Sequence, residues 1–272
     1  MKHIVPATII ILSLLFVAGF LVLPLVVIFV EAFSKGWQAY AASFREGYAW
    51  SAIQLTLITA AIAVPANTFF GICAAWCIAK YRFWGRNVLI TLIDLPLAIS
   101  PVIAGLIFLL AFGQRSFLGS WLIDHNCKVI FAVPGIVLAT VFVTLPFVAR
   151  ELIPLMVEQG SVEEEASLSL GANGWQTFWR VTMPNIKWGL LYGIIICNAR
   201  AMGEFGAVSV VSGSIRGETN TIPLYIETLY ASYATVPAFT MATLLAALGI
   251  ITLVIKTGIE WKIKRDRKKA SN

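Results

Sequence analysis

The amino-acid sequence predicts an all-α polytopic membrane protein with six transmembrane helices. Two observations carry that reading. The 272 residues are 59% hydrophobic and only 12% charged, with a mean hydropathy of +0.84, whereas soluble domains run at about 45–50% apolar and about 25% charged. A chain of this size has too little interior to hide so much apolar surface from water. A soluble globular enzyme, a disordered chain and a disulfide-stapled secreted module are therefore excluded. The second observation is that the apolar residues are gathered into runs long enough for the roughly 20 residues that a span requires.

The runs follow one another along the chain. Ile4 to Val30, Gly47 to Ala79, Leu95 to Gln114, Val129 to Ala149 and Thr228 to Ile255 contain no charge, and Trp188 to Ile215 is apolar apart from Arg200 and Glu204. The expected spans are residues 4–30, 50–79, 88–113, 129–149, 185–210 and 234–256, within one transmembrane domain over 1–272. They leave 150–187 as the longest inner connection and 257–272 as a basic tail. The first run follows Lys2 as a signal peptide would, but it is too long and has no small-residue cleavage site before Glu31. It reads as a retained first helix. Asp94, Pro96, Ser100 and Pro101 interrupt the start of the third span, because prolines free backbone groups that then need other partners.

With the N-terminus inside, fourteen of the twenty Lys and Arg fall in inner connections and the tail, five fall outside, and Arg200 lies within a span. The positive-inside rule then puts both termini in the cytoplasm. The cluster from Lys262 to Lys269 follows an apolar segment directly. It reads as a stop-transfer anchor beside anionic membrane lipid. A nucleic-acid surface would place basic residues on a folded face with aromatic partners, so no nucleic-acid partner is expected. Cys73, Cys77, Cys127 and Cys197, with His3 and His125, form no metal-ligand spacing. Buried thiols and no metal site are expected.

The inner connection carries patterned sequence. Ser161-Val162-Glu163-Glu164 fits a capping box, with Ser161 capping a helix and Glu164 reaching back to it. Glu163, Glu164 and Glu165 suit the positive end of that helix dipole. Gly171 supplies a left-handed C-terminal stop, and Ala166, Ser167 and Ser169 leave a small face for close approach. Asn173-Gly174 then turns into a second short helix with Trp175, Phe178 and Trp179 on one face, and Pro184 permits a fresh start into span five. On these residues alone, the hairpin either docks on a partner or rests on lipid headgroups with its tryptophans in the interface.

Glu165-Ala166-Ser167, Gly171 and Val181-Thr182-Met183-Pro184 resemble the EAA motif of ABC-importer permeases, EAA-x3-G-x9-I-x-L-P, at every spacing. The departures are Ser167 for alanine, Val181 for isoleucine and Met183 for leucine. Leu95 to Leu106 and Asn198 to Ala207 resemble the oxyanion branch of that family, and Ser212 to Thr219 resembles its sulfate permeases. The resemblance implies a type I ABC-importer permease fold in a bacterial inner membrane. It implies that Glu164, Glu165, Ala166, Ser167, Gly171, Trp175 and Pro184 form a coupling loop seated on a cytoplasmic ATPase dimer. This chain has no G-x4-G-K-[ST] run to cradle ATP phosphates. ATP and Mg therefore belong to the ATPase partner, and this chain holds no cofactor. A second related permease subunit, forming a heterodimer, and a periplasmic sulfate-binding protein complete the implied assembly. The implied cargo is sulfate, with thiosulfate or molybdate as alternatives.

Arg200 and Glu204, four apart on one helix, admit two readings. They are a self-neutralising structural pair, or Arg200 sets the field of an anion path that Glu204 restrains. Gly203, Gly206, Ser209, Ser212 and Ser214 suit close helix packing at a central seam, as at a permease dimer axis. Ser100 offers a hydroxyl either to an oxyanion or to its own helix backbone. Ser214 and Arg216, near the outer face, either touch the binding protein or belong to a solvated loop. An intramembrane enzyme would need a nucleophile and base that these spans lack. A stand-alone channel or secondary transporter leaves the docking hairpin without a purpose, and no internal repeat is visible.

Overall fold

The computed structural model describes residues 4–45 and 47–270. Expectations resting on Lys2 and His3, and on the basic side chains from Lys262 onward, lie outside the described residues. Among the described residues four helices are long and apolar enough to cross a membrane, and there are up to six spans if each of two sharply bent helix pairs is one. The first span is α1 (Ile4–Val17) continued through a π turn into α2 (Leu23–Ala32). A short α3 (Gly36–Ser43) precedes the second span, α4 (Gly47–Lys80). The third is α5 (Arg86–Ala98) with α6 (Pro101–Phe112), followed by the short α7 (Phe117–Asp124) and the fourth span α8 (Val133–Gln159). Next come α9 (Val162–Ser169), then α10 (Gly174–Thr177), which runs through a second π turn into α11 (Met183–Met202). Finally α12 (Gly206–Ser212), α13 (Ile222–Ala231) and α14 (Thr235–Ala270) complete the chain.

The first span is apolar all round, and none of its most apolar stretch is buried within the chain. Such a helix is stable only where its whole surface meets lipid or another subunit. Its second half, α2, packs along α14, and from α3 Tyr40 Oη lies 3.1 Å from Thr243 Oγ1 of the same helix. The centre is the pair α4 and α8, which run parallel, with Asn67 beside Thr144 and Lys80 beside Gly160, and α11 is laid against both. Asn67, fully buried on α4, donates to Val141 O at 3.1 Å and to Thr144 Oγ1 at 2.7 Å, and contacts Cys197 Sγ at 3.8 Å. One amide thus ties the three central helices together. Van der Waals packing alone gives little directional preference inside a bilayer, and such a polar node supplies it.

The break in the third span follows from local chemistry. Pro101 disfavours helical backbone at the residue before it. Ser100 accordingly sits at φ −57° and ψ 133°, and α5 and α6 meet at 107°. The fifth span bends by 49° between α11 and α12. The two broken spans then pack on each other at very short range. A Cβ on Gly105 would lie 2.6 Å from Ala207 O and 2.9 Å from Val210 Cβ, and one on Gly206 would lie 2.9 Å from Pro101 Cβ. The small residues expected at a seam between subunits therefore serve, at Gly206, a seam within this chain.

The cysteines correct another expectation. Cys197 is buried, but Cys73 and Cys127 are exposed and Cys77 is only partly covered. A span needs apolar surface against lipid as well as against protein, so a thiol in an apolar run need not face the core.

Candidate functional site

The loop between the fourth and fifth spans is organised around one carboxylate. Glu163, Glu164 and Glu165 occupy the first turn of α9, but the expected capping box does not form there. Ser161 makes no bond to the helix N–H groups; its hydroxyl donates to Glu165 Oε1. Glu164 turns away from Ser161 altogether. Its Oε2 lies 2.5 Å from Lys80 Nζ at the end of α4, and its Oε1 accepts from Thr182 Oγ1 at 2.9 Å. A charge-assisted bond to an ammonium outweighs one to a neutral backbone amide. Lys80 also donates to Gly160 O at the end of α8. Side chains 10% and 17% exposed thus join α4, α8, α9 and the turn entering α11. Beside them Asn185 Nδ2 donates to Glu163 Oε2, and Gln159 Nε2 donates to Asn185 O at 3.0 Å.

Gly171 ends α9 as expected, at φ +90°. Gly171 N donates to Leu168 O at 3.0 Å and Ala172 N to Ser167 O at 3.1 Å, the two bonds of a Schellman stop. The capping box belongs to α10 instead. Asn173 Oδ1 accepts from Gln176 N at 2.8 Å, and Gln176 Oε1 accepts from Asn173 N at 3.0 Å. Ser167 Oγ lies 3.1 Å from Thr177 Oγ1, closing α9 onto α10. Trp175, Phe178 and Trp179 do share a face, with ring centroids 5.4 to 6.1 Å apart. Only Phe178 turns inward, onto Trp76 of α4 at 5.1 Å. Pro184 does not open the fresh helix expected of it: it lies inside the continuous helix from Gly174 to Met202, directly after the π turn Phe178–Thr182, an irregularity of the kind that accompanies a proline within a helix. Glu165 and Ala166 are exposed, and so are Val162, Leu168, Leu170 and Trp175. The hairpin is therefore pinned to three spans from beneath while an apolar outer surface stays uncovered.

Within the fifth span Arg200 Nη2 lies 2.9 Å from Glu204 Oε2. The Glu204 side chain is 1% exposed and that of Arg200 is 36% exposed. The other carboxylate oxygen, Oε1, accepts from Ala207 N at 3.0 Å, so Glu204 also caps α12 across the break. One residue balances a buried charge and starts a helix. Ser209 donates to Gly206 O at 2.8 Å and Ser212 Oγ accepts from Ser214 N at 3.1 Å, so both hydroxyls serve their own segment. Ser100 is exposed just before α6, the helix against which α12 packs. Ser214 and Arg216 are exposed, and Arg216 Nη2 donates to Ser232 Oγ at 3.3 Å.

Sequence reasoning missed three groups here. Lys80 read as a topological charge, and neither Thr182 nor Asn185 carried a signal beyond its place beside Pro184. Arg150 likewise read as an inner cation, yet its Nε lies 2.8 Å from Asp94 Oδ1 and joins α8 to α5.

Comparison with known proteins gives consistent matches. The family described as binding-protein-dependent transport system inner membrane component matches residues 67–265. The sulfate transport system permease protein CysW of Escherichia coli K12 is 52% identical over 259 residues, covering 95% of this chain and 89% of that protein. The protein of the same name from Synechocystis is 51% identical, covering 92% and 90%. The sulfate transport system permease protein CysT of Escherichia coli K12 is 34% identical, covering 89% and 87%. A chain in the crystal structure of a bacterial alginate ABC transporter, in complex with alginate pentasaccharide-bound periplasmic protein, shares the fold. Its TM-score is 0.78 at 17% identity, covering 97% of this chain and 95% of that one. The chain belongs to the family of binding-protein-dependent transport system inner membrane components.

Proposed function

We propose that this chain is the sulfate permease subunit of an ATP-driven importer, with thiosulfate as a second cargo, and that it forms half of the translocation path. The observation that carries the reading is identity of about half of all residues to sulfate permeases along nearly the whole chain. In this reading the membrane is the bacterial inner membrane, and the 150–187 connection, the 257–272 tail and both termini are cytoplasmic. The exposed apolar and acidic surface of α9 and α10 seats on a separate ATPase dimer, which holds ATP and Mg. The anchoring of Glu164 on Lys80 and Thr182 supports a coupling role, because force applied to the hairpin reaches α4 and α11 through short polar bonds rather than through a slack loop. The similarity to both CysW and CysT proteins supports a heterodimeric permease, and a periplasmic sulfate-binding protein delivers the anion.

The test is uptake of radiolabelled sulfate into proteoliposomes containing the purified assembly, its binding protein and ATP. Uptake that needs ATP, and that unlabelled sulfate and thiosulfate suppress, is the expected result. Uptake suppressed by molybdate but not by excess sulfate assigns a different cargo. Uptake without ATP overturns the importer reading.

A further inference from the structure

The short connection between α4 and α5 holds two cations that the mechanism above does not use. Lys80, Arg150, Arg200 and Lys256 each lie within 4.0 Å of a carboxylate. Among the described residues, Arg82 and Arg86 have no such partner. They line one open hollow of about 470 Å3 together with Phe83, Trp84, Gly85 and Asn87. Arg86 Nε is buried there with no hydrogen-bond partner. A buried donor on a charged group is costly to leave unpaired, so the site is incomplete without an acceptor. The first turn of α5 adds to the demand, since it has no side-chain cap and no acidic residue. Its unpaired N–H groups and positive dipole end favour an anion at the same place.

The surroundings decide which anion. Trp84 is fully exposed, and Tyr81 and Phe83 are exposed beside it. Aromatic rings collected around guanidinium groups, where two spans leave the bilayer, belong at headgroup depth. Guanidinium groups present paired donors that match phosphate oxygens. We propose that Arg82 and Arg86 bind the phosphate of an anionic phospholipid headgroup, with Trp84, Tyr81 and Phe83 resting on its glycerol and upper acyl region. Free phosphate or sulfate offers the same oxygens but has nothing to set against the aromatic collar.

The purified assembly, delipidated in detergent and offered equal phosphatidylglycerol and phosphatidylcholine, tests this by native mass spectrometry of retained lipid. A phosphatidylglycerol preference of about fivefold is expected, equivalent to about 1 kcal/mol from the basic pair. Arg82→Gln with Arg86→Gln abolishes it, Arg82→Gln alone reduces it, and Arg45→Gln with Arg115→Gln leaves it intact. Thermal unfolding of each variant without lipid establishes that the fold is retained. If the double variant fails to fold, the single variant carries the test. An unchanged preference in a folded Arg82→Gln chain overturns the proposal. Calorimetric binding of inorganic phosphate to the original chain, lost in the variant and with no lipid preference, also overturns it and assigns the hollow to a free ion.

Discussion

Lys80 Nζ lies 2.5 Å from Glu164 Oε2, joining the end of the second span to the first turn of α9 across 84 residues of sequence. Both side chains are largely shielded, and the second carboxylate oxygen is held by Thr182. The hairpin therefore has a fixed position before any partner arrives. A lever must be stiff where it meets the parts it moves, and this bond ties the hairpin directly to span two.

Removing Lys80 should show that stiffness directly. Lys80→Met leaves Glu164 with Thr182 as its remaining donor and should lower the stability of the assembly by about 2 kcal/mol. Glu164→Gln keeps an oxygen for Thr182 and should cost less. A double-mutant cycle in thermal or denaturant unfolding should return a coupling energy of at least about 1 kcal/mol. Additive effects would mean that the pair contributes no more than two independent surface charges.

Local signals were legible in the sequence and long-range ones were not. Gly171 and the Asn173-Gly174 turn could be placed because a left-handed stop and a tight turn depend on immediate neighbours. The interruption near Ser100 followed from Pro101 for the same reason. Ser161 misled because the capping-box pattern considers only the helix itself, whereas Glu164 has a cation waiting at Lys80. Nothing in the spacing of α4 reveals that its terminal lysine ends beside α9. The Asp94–Arg150 pair and the Asn67 node were hidden likewise, since each depends on how separate spans are packed.

The C-terminal stop of α9 isolates a backbone effect. Gly171 has open space where a Cβ would go, but its φ of +90° strains any side chain. Gly171→Ala should cost roughly 1 kcal/mol through the backbone alone, and Gly171→Val more. Because Leu170 and Ala166 are exposed beside it, the distorted stop should uncouple the partner's ATP hydrolysis from uptake. Sulfate uptake and ATPase rate measured on the same Gly171→Val preparation check this. If both persist unchanged, α9 is not the coupling surface.

Packing of the two broken spans makes the opposite kind of prediction, in which sterics rather than dihedral angles decide. Gly105→Ala drives a Cβ against Ala207 O and Val210 Cβ at 2.6 and 2.9 Å, and the first of these is backbone that cannot rotate away. Separation of α6 from α12 should destabilise the chain by about 1–3 kcal/mol. Gly249→Ala, with nothing within 4 Å of the new methyl group, should be neutral or slightly stabilising. Melting temperatures of the two variants, each compared with the parent chain, test the contrast, and equal values would remove the seam.

Arg200 and Glu204 need a double substitution to separate structure from transport. Arg200→Ala leaves a carboxylate 1% exposed without its cation, a change worth about 3–5 kcal/mol when a buried pair is broken. Loss of uptake in that variant alone is therefore ambiguous. Adding Glu204→Gln removes the stranded charge while keeping a side-chain oxygen to accept from Ala207 N. The Arg200→Ala/Glu204→Gln chain should recover much of the lost stability, because α12 keeps its cap and no charge remains buried. If Arg200 also lines the anion path through its exposed flank, uptake should stay reduced at least about tenfold, equivalent to about 1.4 kcal/mol. Recovery of both stability and uptake would reduce the pair to a structural brace across the break between α11 and α12.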